Sequence, residues 1–179
     1  MSVVLLDTSV ASLLHPKKKN DPLRAKYEPH MRGQTLALSF QTVAELWDWA
    51  EKNNWGAKAR EGLDAFIRRF LVIPYDYDLA KTWARVMSGS RAAGRRLEAG
   101  DCWIIATAVH RDLPLLTHDR DMVGRAINGL NVVSYLDSDA PKSDGSSCVT
   151  PGQRETSHAP DSPRQRGEAD PGRAIRPDP

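Results

Sequence analysis

The sequence predicts an α/β fold: an open, mostly parallel sheet of about five short strands with helices on both faces. Five short, largely apolar runs carry that expectation, Val3 to Leu6, Thr35 to Ser39, Leu71 to Pro74, Leu113 to Thr117 and Asn131 to Ser134. Longer stretches of helical periodicity lie between them, so strands and helices alternate along the chain. The first run is apolar at every position, which suits a strand covered on both faces rather than one wetted on one side.

The elements follow in order. Asp7-Thr8-Ser9 reads as a helix N-cap after the first strand, and Val10 to Leu14 as a short helix broken by Pro16 and the Lys17-Lys18-Lys19-Asn20 loop. Pro22 to Met31 is a second helical segment. Gln41 opens a long helix in which Val43, Leu46, Trp47 and Ala50 recur at i, i+3, i+4 and i+7, ending near Asn53-Asn54. After a turn at Gly56, residues 57–70 place Leu63, Phe66, Ile67 and Phe70 on one helical face. Asp76 to Ala93 carries Leu79, Trp83, Val86 and Met87 at helical spacing, and Gly94 to Gly100 is a loop holding Arg95 and Arg96. The most apolar helix, Cys102 to Val109, follows with Asp101 at its head. His118-Asp119-Arg120-Asp121 then forms a polar turn into a short helix before the last strand.

Composition places the end of the folded domain near residue 137: all five Trp, four Tyr and three Phe precede it, while residues 138–179 hold seven of the twelve prolines. A stretch so poor in apolar groups cannot offset its ordering entropy, and residues 138–179 are expected to be a disordered tail. Residues 1–137 carry 19 Lys/Arg against 16 Asp/Glu, a mildly basic +3 that permits a nucleic-acid partner without demanding one. Only two cysteines occur, Cys102 and Cys148, so neither a disulfide framework nor a zinc-ligand spacing is present, and a reducing cytoplasm is expected. No signal peptide or membrane span is legible.

Strand ends in such a sheet lead to loops at one edge, where ligands collect. Asp7 follows the first strand, Glu45 lies in the first turns after the second, and Asp119 follows the fourth. Asp101 joins them, and it shares a helical face with Ile104, Ile105 and Ala108, so its carboxylate continues an apolar stripe. Crowded carboxylates repel one another, a cost that a divalent cation removes. An all-oxygen donor set selects Mg²⁺ or Mn²⁺, and such an ion suits phosphodiester hydrolysis. No Gly-rich phosphate loop, nucleophile elbow or dinucleotide fingerprint competes.

Simpler roles stand beside these. Asp7, Asp101 and Asp119 each sit where an N-cap belongs, which is the commoner role for an aspartate taken singly. Glu45 lies opposite the Val43/Leu46/Trp47/Ala50 stripe, the ordinary place for a solvated charge. Asp48, Glu51, Asp76, Asp78 and Glu98 read equally well as surface acids. Lys17, Lys18, Lys19, Arg95 and Arg96 are positioned to contact a phosphate backbone, although loop charges are more often just solvated.

Four blocks in order, LLDTSV, TVAEL around Glu45, GDCWIIATA around Asp101 and LLTHDRDM around Asp119, resemble the PIN domain, and in particular VapC-like toxins of toxin–antitoxin pairs. The resemblance runs from Val3 to about Leu136. It implies that Asp7, Glu45, Asp101 and Asp119 surround one or two Mg²⁺ or Mn²⁺ ions, with Ser9 and Thr117 supporting the cluster and Asp121 as the alternative to Asp119. It implies endonucleolytic cleavage of RNA by metal-activated water, leaving 5′-phosphate and 3′-hydroxyl ends. It further implies a homodimer restrained by a small VapB-like antitoxin. The helices of residues 41–70, with Trp49 and Trp55, are the expected antitoxin contact.

Two other classes of protein stand beside this reading. Aspartyl-phosphate phosphatases also begin with a strand-end Asp, but they need a second acid two residues on, where this chain has Ser9. A non-catalytic PIN-fold binding or scaffold module, or a toxin decayed to inactivity, is the remaining alternative.

Overall fold

The computed structural model describes residues 2–136, apart from the side chain of Lys17, and these residues fall within one compact unit. The expected tail, 138–179, lies outside the described residues. The elements are β1 (Val3–Leu6), α1 (Thr8–Leu13), α2 (Pro22–Met31), β2 (Thr35–Ser39), α3 (Phe40–Lys52), α4 (Ala57–Ile67), β3 (Leu71–Ile73), α5 (Tyr77–Ala92), α6 (Ala99–Arg111), β4 (Leu115–Leu116) and β5 (Val132–Val133). A short 3₁₀ turn, Pro16–Lys18, joins α1 to α2 where a plain loop was expected.

All five strands are parallel, in the order β3-β2-β1-β4-β5. β1 lies at the centre, and its alternation divides the core. Val4 and Leu6 join Leu38 and Leu116 under α1 to α4, while Leu5 joins Ala37 and Leu115 under α5 and α6. Leu5, Leu6 and Leu38 are fully buried, each worth roughly 1.5–3 kcal/mol relative to exposure. The chain lays down β2 and β3 on one side of β1, then crosses to place β4 and β5 on the other. The C-terminal ends of β1 and β4 therefore flank a topological switch point, the usual place for a ligand crevice in an open α/β sheet.

Several boundaries shift, β4 and β5 most among the strands, each shortened to two residues; three departures have local reasons. α1 starts two residues early, at Thr8, because the Asp7 side chain caps it directly. α4 ends at Ile67, leaving residues 68–70 to turn the chain into β3. No α-helix follows Asp121 among the described residues; the segment directly after it forms turns, with Gly124 at φ +66° interrupting any helical continuation.

Tyr27 of α2 pins the end of β4. It is wholly buried, and its hydroxyl donates to the Thr117 carbonyl at 2.7 Å and lies 3.1 Å from His118 Nδ1. Tyr27→Phe leaves that carbonyl without its partner and is expected to cost about 1–2 kcal/mol. Thermal unfolding followed by circular dichroism should show a Tm several degrees lower; an unchanged Tm would mean water replaces the hydroxyl without loss.

Candidate active site

Asp7 ends β1 as the N-cap of α1, with only 3% of its surface exposed. Its Oδ1 accepts from Thr8 N at 2.6 Å, and its Oδ2 accepts from Ser9 Oγ at 2.6 Å and Thr117 Oγ1 at 2.9 Å. The two hydroxyls are themselves fixed: Ser9 Oγ accepts from His118 N at 2.9 Å, and Thr117 Oγ1 accepts from Asp119 N at 3.1 Å. Ser9 and Thr117 thus tie Asp7 to the loop after β4. Burial raises the Asp7 carboxyl above its ordinary value despite these bonds from Ser9, Thr117 and Thr8, and the nearby Glu45 charge adds to the rise. The N-cap role holds for Asp7, but it exists together with an acid kept out of water.

Asp101 is not an N-cap. α6 begins at Ala99 with Glu98 in the cap position, which places Asp101 in the first turn of the helix. It is half-buried, one turn ahead of the wholly buried Ile104 and Ile105. Its carboxyl is pushed up to about 7, first by burial and then by the charges of Asp119, Asp7, Glu98 and Glu45. Glu98 is exposed as a surface acid should be, yet its charge acts on Asp101.

Glu45 corrects the periodicity argument. It is half-buried, its Oε2 accepts from Thr8 Oγ1, and its Oε1 accepts from Gln41 Nε2 at 3.0 Å. The reason is that α3 has two neighbours: Leu46 and Ala50 enter the core under the sheet, while another face packs against α6. Gly100 permits that approach, since a Cβ there would stand 2.9 Å from Glu45 Oε1 and 3.1 Å from Gln41 Nε2. Thr8, Gln41 and Gly100 were not singled out from sequence. Their only signals were adjacency to Asp7, i, i+4 spacing to Glu45, and a glycine directly before Asp101.

Asp119 caps no helix, but its Oδ1 accepts from Asp121 N at 2.8 Å, so it organises the turn that follows. Asp121 itself is exposed. The Asp119 charge acts on Asp101, whereas that of Asp121 acts on Arg125.

The basic candidates scatter. Lys18 Nζ donates to Ser12 Oγ at 3.1 Å, Lys19 and Arg96 are exposed, and the Lys17 side chain lies outside the described residues. Arg95 is engaged with the far loop, donating to the carbonyls of Gly124 at 2.9 Å and Val123 at 3.5 Å. Burial pushes the Cys102 thiol up to about 12, so it is inert as a nucleophile.

Two acids that follow strand ends, Asp7 and Asp119, and two on helices, Glu45 and Asp101, thus meet at a single edge, where the charges of the other three all act on Asp101. Among the described residues no group of three His, Cys, Asp or Glu side chains is ready-made to hold a metal ion. The acids are coupled by charge, and crowded carboxylates of this kind gain from a divalent cation that offsets their repulsion. The donor set is all carboxylate oxygen, which fits a hard divalent cation.

A sheet of this order with acids at its switch point defines a chain of the PIN type. The PIN domain family model matches residues 4–127, and the chain belongs to that family, on its VapC-like side. Ribonuclease VapC5 of Mycobacterium tuberculosis is 43% identical over 64 residues, a match covering 36% of this chain and just under half, 46%, of that relative. VapC ribonuclease Y4jK of Sinorhizobium fredii is 29% identical over 140 residues, covering 74% of this chain and 96% of that one. Among solved structures, VapBC-5, a member of the VapBC family of toxin–antitoxin systems from Mycobacterium tuberculosis, aligns with a TM-score of 0.56 at 25% identity, over 75% of this chain and 99% of that one. Among the described residues no helix is long and apolar enough to cross a membrane.

Proposed function

We propose that the chain is a Mg²⁺- or Mn²⁺-dependent endoribonuclease, the toxin of a toxin–antitoxin pair, with Asp7, Glu45, Asp101 and Asp119 as its catalytic acids. The observation that carries this reading is Asp101, a half-buried carboxyl on an apolar helix, held up to about 7 by burial and by four other carboxylates. Such an arrangement is costly for a fold and useful for a cation site, and perturbed acids in this setting mark function more often than structure. The names of the ribonuclease relatives support the same activity.

The four carboxylates would hold the ion, with Ser9 and Thr117 fixing Asp7 behind them. Bound there, the ion would neutralise charge on a phosphoryl group and make water more acidic. The chain's own work is positional. The two hydroxyls and the Thr8 amide lock the Asp7 carboxylate in one rotamer, Thr8 and Gln41 hold Glu45 from both oxygens, and the Asp121 amide orients Asp119. Pre-set acids need no reorganisation when charge builds on the scissile phosphate during in-line attack, which leaves 5′-phosphate and 3′-hydroxyl ends.

The reading extends to partners: a VapB-like antitoxin, supported by the likeness to VapBC-5, and a second copy of the chain, which rests on the family resemblance alone. The expected contact helices are mostly committed to the core through Leu46, Ala50, Leu63 and Phe66. Trp49 stays 45% exposed and packs on the half-buried Trp55 with rings 5.2 Å apart, leaving a smaller apolar patch than the sequence suggested.

Purified full-length chain should cleave structured RNA with Mg²⁺ or Mn²⁺ and stop in excess chelator; undiminished cleavage in chelator overturns the reading. Calorimetric titration with Mn²⁺ separates it from a non-catalytic module, which would bind none. Glu45 has its own test in Gly100→Ala. The added methyl meets the movable end of the Glu45 side chain rather than backbone. Cleavage should therefore fall about tenfold or more while Tm moves little; full activity would remove Glu45 from the catalytic set.

A further inference from the structure

Between α5, the C-terminal half of α6 and residues 124–128 lies a pocket of about 710 Å³ that none of the four acids lines. That volume is typical of sites for small organic groups. Its charge is one-sided: Arg85, Arg95 and Arg125 line it, and no aspartate or glutamate does. Among the described residues none of these arginines forms an ion pair with a carboxylate side chain. Their bonds go to neutral oxygens: Arg85 donates to Thr82 Oγ1 at 3.0 Å, Arg95 to the Gly124 and Val123 carbonyls, and Arg125 to the carbonyls of Asp121 and Arg95. Each guanidinium has five N–H donors, so several remain for a ligand. The remaining wall includes the apolar side chains of Val86, Val109 and Ile127, and His110, which also lines it, has its Nε2 3.6 Å from Asp76 Oδ1.

Clustered guanidiniums around an apolar-walled cavity suit a ligand with an anionic group and a flat, weakly polar body. The pocket also adjoins the acidic edge: Arg125 in its wall donates to the Asp121 carbonyl, and the Asp121 amide in turn donates to Asp119 Oδ1 at 2.8 Å. A ribonucleotide reaching past the acids meets both requirements, its phosphate facing arginine and its base lying on the apolar wall. We propose that this pocket is a nucleotide subsite for the RNA strand engaged at the acidic edge, with Arg85 and Arg95 as phosphate contacts. The proposal rests on the ribonuclease reading and extends it to substrate positioning.

Arg85 is the residue to test, since it is exposed on α5 and, among the described residues, its side chain bonds only to Thr82 of the same helix. Binding of a fluorescent single-stranded RNA to the full chain, carrying Asp101→Asn to prevent cleavage, should weaken about tenfold with Arg85→Ala. The slope of log affinity against log salt should drop by about 1, as for one lost phosphate contact. Arg85→Lys should recover part of both. In the otherwise unaltered enzyme, Arg85→Ala should raise KM for RNA about tenfold with kcat within about twofold. Filling the pocket by Ala126→Phe should weaken the same RNA. Unchanged affinity and salt slope in both variants overturn the subsite, even if the enzyme cleaves normally. The same holds if Arg85→Ala releases a co-expressed antitoxin while RNA binding is untouched. Loss of RNA binding in these variants of a chain that never cleaves would support the subsite and count against the ribonuclease reading alone.

Discussion

Asp101→Asn is expected to abolish RNA cleavage and, in chelator at pH 8, to raise the melting temperature of the protein. The two effects have one origin. The Asp101 carboxyl is held up to about 7 from an ordinary 3.8, so the folded state prefers it protonated. Between those values the native state binds more protons than the unfolded state, and stability falls as pH rises. Below about pH 4 there is no penalty; above about pH 7 it is fully present. The full shift of about three units would be worth roughly 4 kcal/mol, but a half-exposed group is screened by solvent, which leaves about 1–2 kcal/mol. Asparagine removes the charge at nearly constant shape, so Tm at pH 8 without metal should rise by several degrees, and at pH 4 hardly at all. Saturating Mg²⁺ should stabilise the unaltered protein, by about 2.7 kcal/mol at a hundred times its dissociation constant, and the variant much less. Cleavage should drop at least about a hundredfold. A variant that melts lower than its parent at pH 8 would mean the carboxylate is stabilising, and the electrostatic account of this edge would be wrong.

Much of this arrangement was legible in the chain because it rests on short-range signals. β1 and α2 were bounded as observed because an all-apolar run and a Pro-opened segment announce themselves locally. Asp101 was legible because a lone acid in an apolar stripe is conspicuous. What could not be read is what depends on a third element. Glu45 looked solvated because periodicity sees one helix facing one core, whereas α3 packs against both the sheet and α6. The partners that hold it, Thr8 on another helix and Gln41 one turn back, have no pattern of their own until α6 approaches at Gly100. The N-cap expected of Asp101 failed by three residues because Glu98 ends the loop earlier. The pocket of arginines was likewise invisible: Arg85, Arg95 and Arg125 sit in three separate segments, and only folding brings them to one wall.

Asp7 is the position where loss of activity and loss of fold should come apart most clearly between two substitutions. Both Asp7→Ala and Asp7→Asn are expected to lower cleavage at least about a hundredfold, since neither retains the carboxylate. Their effects on stability differ. Alanine leaves the Ser9 and Thr117 hydroxyls and the Thr8 amide facing an empty, buried space, with no acceptor in place of the two oxygens. Each such orphan costs about 1–3 kcal/mol, partly offset by removing a charge that burial already disfavours. Asparagine keeps one oxygen for the two hydroxyls, but its amide then faces the Thr8 N–H, so a single bond is lost while the buried charge disappears. Asp7→Asn should therefore fold with near-parent stability and no activity, and Asp7→Ala should melt several degrees lower. The loop carrying Asp119 should loosen in the alanine variant alone, because its tether runs from Asp7 through Thr117 Oγ1 to the Asp119 amide. Amide hydrogen exchange at His118 and Asp119 reads that directly: faster in Asp7→Ala, near parent in Asp7→Asn. Equal exchange in both variants would show that the hydroxyl bridge does not position the loop, and Ser9 and Thr117 would then lose their supporting role in the site.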